Sequence, residues 1–347
     1  MANGLGRRIL NWLKAPAAAG AVETPPAAPA PIDAVITWVD GFDPAYVARR
    51  EACMAALRSR DPIAASRGEG AFTARRYGDH EEIRYCVRSI ANHAPWVRTI
   101  WIVTDDQIPP YFDLARADGR IRLVSHTDIF NGMPAAVPNF SSTAIESVLW
   151  RIDGLAEHYL YFNDDFFLAR AAAPSDFFQG DKFLIRGRWT DLSSPDTPPW
   201  LLHRVNAAEL FGYGPEHVFV ESHGPAPQTR SAAAEMWKLN PAQWERNVGY
   251  RFRGPEGFAA VTAFNHWSIR RKTAIERPGK ECTVYTPYPR NKPEAEVRAE
   301  LEHIVAGKVL SVCFNALDDW SVMFPDVYDY LDRITGPRLE WERPGRG

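Results

Sequence analysis

Tyr159-Leu160-Tyr161-Phe162-Asn163-Asp164-Asp165-Phe166-Phe167-Leu168 decides how this chain is read: an apolar run of strand length, broken by two acids, that then resumes. Such a run reads as a buried β-strand. Adjacent carboxylates at its end repel one another unless a cation or an arginine neutralises them. Holding them inside an apolar run is costly without a partner. Mg²⁺ or Mn²⁺ would supply one, since hard cations prefer carboxylate oxygens and share their shell with substrate phosphates. A plain turn is the alternative, because Asn and Asp are ordinary turn formers after a strand.

Upstream, the same rhythm recurs. Ile32 to Val39 is β-branched and apolar up to Asp40-Gly41, Thr99 to Val103 ends in Thr104-Asp105-Asp106, and Ile121 to Val124 is shorter. Helical spacing predicts helices over Ala45 to Arg60, Glu81 to His93 and Ser142 to Ile152 between these strands. Alternating strands and helices predict an α/β fold with a mostly parallel central sheet and loop or helix insertions, with ligands bound beyond the carboxyl ends of the strands. Downstream, residues 186 to 227 are rich in Gly, Pro, Trp and His and read as long loops around a site. Helices are expected over Ser231 to Gln243, Phe258 to Ser268, Glu294 to Val305 and Asp326 to Ile334.

The 347 residues, 46% of them hydrophobic, suffice for one large core; a net charge of −3 argues against a nucleic-acid partner. Cys53, Cys86, Cys282 and Cys313 are dispersed without zinc spacing and read as reduced thiols of a cytoplasmic protein. No run of about eighteen apolar residues occurs. The basic, partly apolar segment Arg7 to Lys14 suits weak peripheral contact with the inner face of a membrane, or a frayed tail. Residues 1–31 are thus expected to be a tail and Ala/Pro-rich linker, 32–335 the catalytic domain and 336–347 a C-terminal tail.

Other residues invite chemistry, each with a plainer alternative. His223, in a Gly/Pro-rich loop, could act as a general base. Arg251 and Arg253 could clamp phosphate oxygens, or face water. Glu146 could join the acidic pair if its helix packs alongside; a solvated helical Glu is the ordinary case. Trp38-Val39-Asp40-Gly41 could hold a base and ribose, or merely start a helix. Trp189, Trp200, Trp237, Trp244 and Trp267 could stack on sugars, though most belong in cores.

Together these segments resemble the Stealth family of polysaccharide phosphotransferases. Its first signature is similar to Ile32 to Gly41 followed by Asp43-Pro44. Its second runs from Tyr77 to Phe178 and includes Arg84, Thr104-Asp105, Ala144-Ile145-Glu146-Ser147 and Asn163-Asp164-Asp165. Its third resembles His223-Gly224-Pro225 through Arg253 to Phe264, and a fourth Cys313-Phe314-Asn315. The resemblance implies a GT-A-like nucleotide-sugar fold with Mg²⁺ or Mn²⁺. It implies transfer of sugar-1-phosphate from a nucleotide-sugar donor to a glycan acceptor, with release of nucleoside monophosphate. Asp164 and Asp165 would hold metal, and His223, Arg253, Asp164 and Glu146 would be catalytic. Trp38, Val39, Asp40, Gly41, Thr104, Asp105 and Arg84 would contact substrate. A glycosyltransferase releasing nucleoside diphosphate and a non-catalytic carbohydrate-binding factor are the rival readings.

Overall fold

The computed structural model describes residues 30–60, 74–285 and 288–345. The expected N-terminal tail and linker, with its membrane contact, lies outside them up to residue 29. Pro31–Gly347 is one compact unit.

Among the described residues twelve strands follow in order: β1 (Ile32–Thr37), β2 (Val97–Thr104), β3 (Ile121–Ser125), β4 (His158–Asn163), β5 (Phe166–Leu168), β6 (Phe178–Gln179), β7 (Lys182–Thr190), β8 (Val218–Glu221), β9 (Ala226–Thr229), β10 (Ala274–Pro278), β11 (Cys282–Tyr285) and β12 (Ser311–Phe314). The central sheet runs β3-β2-β1-β4-β9, its first four strands parallel and β9 antiparallel to β4. Apolar residues point both ways because both faces are covered. Along β1, Ala34 and Ile36 enter the core beneath the helix Glu82–His93, while Val35 enters the one on the opposite face. Thr37 lies level with Val103 of β2 and Asn163 of β4, so the carboxyl ends of three strands open at one height.

One buried carboxylate ties the amino end of β1 to its surroundings. Asp33 takes a two-pronged bond from Arg98 (2.9 and 2.6 Å), a bond from the Trp101 indole (2.9 Å) and one from the Ala156 amide (2.8 Å).

The acidic pair marks the passage between two sheets. β4 belongs to the central sheet, but β5, two residues later, pairs with β12 in the three-stranded sheet β11-β12-β5. Asp165 is held there by the Phe314 amide on its carbonyl (3.1 Å) and the Cys313 thiol on its carboxylate (3.4 Å). A third sheet, β10-β7-β6 with β8 on β7, forms the facing wall.

Three sequence expectations change. The helix expected over Ser142 to Ile152 ends at Glu146, followed by a 3-10 turn at Leu149–Arg151. That over Ser231 to Gln243 divides into Arg230–Leu239 and Pro241–Gly249, since Pro241 has no amide to continue the ladder. Residues 186 to 227 are not loops throughout: they hold the end of β7, the helix Pro199–Glu209, β8 and β9. Gly187 misled because its small size serves close strand packing, a Cβ there meeting the Val220 carbonyl at 2.4 Å. All four cysteines are free thiols. Among the described residues no helix is long and apolar enough to cross a membrane.

Residues 336–345, set apart on sequence as a tail, dock on the domain. Leu339 and Trp341 pack against the core, and Glu342 inserts between Arg84 and Arg88. Arg88 has no exposed side-chain surface; it meets Glu342 through Nε (2.8 Å) and Nη2, and Asp332 through Nη1. Removing one member of a buried ion pair strands the other, at about 3–5 kcal/mol. Glu342→Ala is therefore expected to destabilise the domain by about 3 kcal/mol, read as an earlier midpoint in chemical unfolding; an unchanged midpoint would show that the clamp carries no stability.

Candidate active site

A cavity of about 1210 Å³ opens at the carboxyl ends of β1 and β4 and extends to the wall formed by β7, β8 and the loop before β9. Its two sides carry opposite chemistry.

On the acidic side, Asp164 and Asp165 line the cavity with Glu82 and His80. Burial, then Asp165 and Asp79, push the Asp164 carboxyl well above the ordinary range; burial, then Asp164, does the same to Glu82. Burial also raises Asp165, despite the opposing Cys313 and Asn315 bonds. No cation stands among these influences, and Asp165 Oδ1 is buried without a hydrogen-bond partner. Two neighbouring carboxylates with an orphaned oxygen suit a hard divalent cation that completes its shell with phosphate and water. Among the described residues no three His, Cys, Asp or Glu side chains are gathered at metal-ligand spacing. The protein's own contribution would therefore be the two aspartates.

Between the sides stands Glu146, at the end of the short helix Ser142–Glu146. Tyr161 Oη approaches its carboxyl (3.2 Å), the Asn163 side-chain oxygen (2.7 Å) and the Thr37 hydroxyl (3.1 Å). Burial raises the Glu146 pKa to about 7, against the pull of Arg253.

On the basic side, Arg253 bonds Ser142 Oγ and leaves its buried Nε without a partner. Arg204 Nε rests on Glu221 (2.9 Å), whose other oxygen accepts from Thr262 Oγ1 (2.6 Å). Burial would raise Glu221, but Arg204 and the Thr262 bond outweigh it and the group stays a carboxylate. His223 stands in the cavity two residues beyond Glu221, edge-on to Phe166 with ring centres 6.2 Å apart. Enclosure by the walls, then Arg204 and Arg253, hold it below the usual imidazole value despite Glu221. It is therefore neutral near pH 7 and able to accept a proton.

The cavity thus gathers Trp38, Val39, Glu146, Asp164, Asp165, His223 and Arg253. Five residues expected at the substrate lie outside its lining. Asp40 caps the Phe42 amide (2.9 Å) and exchanges bonds with Gln107; Gly41 provides close packing, a Cβ there falling 2.0 Å from the Tyr77 carbonyl. Thr104 is buried, and Asp105 holds Arg49 (2.7 Å), which covers the end of β2. Arg84 is engaged by Glu81 (3.0 Å), Tyr85 and Glu342. Arg251 fastens backbone carbonyls of Ala135 and Val137. Sequence reasoning missed Arg204 and Glu221. Strand alternation could have placed Glu221 on the face of His223, but Arg204 lay in a helix read as loop.

The chain matches two family models: Stealth protein CR1, conserved region 1, over residues 30–58, and Stealth protein CR2, conserved region 2, over residues 76–185. It is 30% identical to the receptor polysaccharide phosphotransferase WefC of Streptococcus oralis, over 71% of this chain and 81% of that one. It is 45% identical to an exopolysaccharide phosphotransferase of Streptomyces coelicolor, over 77% of this chain and 43% of that one. The chain spans about two fifths of the length of the first Streptomyces relatives it matches. Among solved structures, the galactosyltransferase LgtC in complex with donor and acceptor sugar analogs aligns with 89% of this chain and 98% of its own, at 11% identity and a TM-score of 0.43.

The raised Glu146 pKa has a consequence for stability. A carboxyl raised in the folded state contributes fully below its unfolded pKa, near 4.5, and that contribution is lost as pH rises through about 7. Glu146→Gln removes the ionisation. The variant is expected to exceed the wild type in unfolding free energy at pH 8 by of order 3 kcal/mol, with the gap closing towards pH 5. Unfolding curves at both pH values measure it; a gap independent of pH would contradict a carboxyl raised by burial.

Proposed function

This chain belongs to the Stealth family, and on that premise we propose that it transfers a sugar-1-phosphate from a nucleotide-sugar donor, such as UDP-GlcNAc or a UDP-hexose, to a hydroxyl of a glycan acceptor in capsule or exopolysaccharide synthesis. The observation that carries the reading is the opposition inside one cavity: Asp164 and Asp165 on one side, a neutral His223 flanked by Arg204 and Arg253 on the other. The reading places the work in the cytoplasm, where nucleotide-sugars are made.

The acceptor oxygen attacks the phosphorus that bears the sugar. A new P–O bond forms, the bond to the nucleotide's other phosphate breaks, and nucleoside monophosphate departs with that bridging oxygen. The anomeric C–O bond is untouched, so its configuration is kept. His223 takes the hydroxyl proton as the new bond forms, a role worth about 10²–10⁴-fold. Arg253, its Nε unengaged, steadies the phosphoryl oxygens; Arg204 is braced by Glu221 to face the same charge. Glu146, through Tyr161 and the charge of Arg253, sets the geometry between the two sides. Mg²⁺ or Mn²⁺ held by Asp164 and Asp165 with the donor's diphosphate would neutralise charge on the departing phosphate.

The nucleotide product tests the reading. Incubated with Mg²⁺, a glycan acceptor and a panel of nucleotide-sugars, the protein is expected to release nucleoside monophosphate. Nucleoside diphosphate as the sole nucleotide product would identify an ordinary glycosyltransferase instead. His223→Ala is expected to lower kcat/KM by about 10²–10⁴-fold while the donor still binds, checked by single-turnover kinetics alongside direct titration.

A further inference from the structure

The cavity holds more positive charge than a donor diphosphate requires, and the excess collects on one wall. Gly187 of β7 lies level with Glu221 of β8 and Pro278 of β10; Arg188 follows it opposite Val220, and Lys280 lies two residues beyond Pro278, next to Gly279. Ser222 Oγ bonds the Gly279 carbonyl (3.4 Å), and a Cβ on Gly224 would fall 2.8 Å from Cys282 Sγ, so the 279–282 segment packs directly on the His223 loop.

Arg188 and Lys280 both line the cavity and both are exposed. The nearby acids are committed elsewhere: Glu221 to Arg204 (2.9 Å) and Glu281 to Arg186 (2.6 Å). Neither Arg188 nor Lys280 has an acidic partner among the described residues. The helix Pro199–Glu209 packs on β8 through Val205 and Ala208 and presents Trp200 and Arg204, one turn apart, to the cavity. Trp200 is 61% exposed, although burying an indole is strongly favourable. An exposed indole and two cations without an acidic partner, lining one cavity with His223, are the chemistry that recognises a charged sugar chain: the ring covers a sugar's apolar face and the cations meet its anions.

We propose that Trp200, Arg188 and Lys280 form an acceptor subsite for a negatively charged glycan, separate from the donor's phosphates. This rests on reading the cavity as a glycan-modifying site but not on which nucleotide it releases. The acceptor's anion could be a phosphodiester or a uronate carboxylate, and both would be met by the same cations.

Direct binding to the full-length protein tests this, by titration with yeast phosphomannan fragments, hyaluronan oligosaccharides and neutral dextran oligosaccharides at two salt concentrations. At least one anionic probe is expected to bind more tightly than dextran, to weaken with salt and to stay bound under saturating UMP. Arg188→Ala with Lys280→Ala is expected to weaken that probe about tenfold, as for two lost solvent-exposed charge contacts, and to flatten its salt dependence. Trp200→Ala weakens it as well, with Trp200→Phe restoring much of the loss. Preference for phosphomannan assigns the phosphodiester and preference for hyaluronan the uronate. The proposal is overturned if dextran binds as well as both anionic probes, if the double variant binds unchanged, or if UMP displaces the glycan. Release of diphosphate instead of monophosphate would refute the transfer chemistry and leave this binding result standing.

Discussion

Crowded, buried carboxyl groups at the turn from β4 to β5 are the constraint around which the site is arranged. Burial is the largest influence on Asp164, Asp165 and Glu82, and neighbouring carboxylates raise Asp164 and Glu82 further. Folding tolerates this because the backbone leaves no choice. The segment must leave the central sheet after Asn163 and enter another at Phe166, and the second of the two residues between, Asp165, is pinned by Phe314 and Cys313. Carboxyl groups held this way suit a divalent cation that completes its shell with phosphate.

The opposite wall solves the complementary problem. Guanidinium groups beside a histidine would ordinarily cost solvation, yet Arg204 is balanced by a carboxylate that burial alone would protonate. Glu221 thus keeps Arg204 in place while its negative charge only partly offsets the cations that hold His223 neutral. The buried carboxyl groups and the histidine are set apart by environment, while identical residue types elsewhere serve the framework. Asp33 ties strands together and Arg88 fastens the C-terminal segment.

Much of the fold could be read in the residues. Continuous apolar runs ending in acids marked β1, β2 and β4 because strands buried on both faces leave no polar alternation to blur them. The acidic pair, Glu146, His223 and Arg253 meet in one cavity, as their family pattern implied. What stayed hidden depended on long-range packing. Gly187 looked like a loop signal but sits where two strands crowd. Asp105 and Arg84 looked available because their partners, Arg49 and Glu342, come from a distant helix and from the far end of the chain. Glycine and charged residues have meanings that only their neighbours determine.

The pairing of β9 with β4 sets Ala226 against Tyr161, so the loop bearing His223 and the turn bearing Asp164 are neighbours through main-chain bonds. The span between His223 and the acidic pair is therefore specified by main-chain pairing, which side-chain substitution leaves in place. Mutation can remodel the cavity lining while that spacing persists. A site framed this way tolerates change at its walls, whereas a one-residue slip of β9 along β4 would turn every β9 side chain to the opposite face.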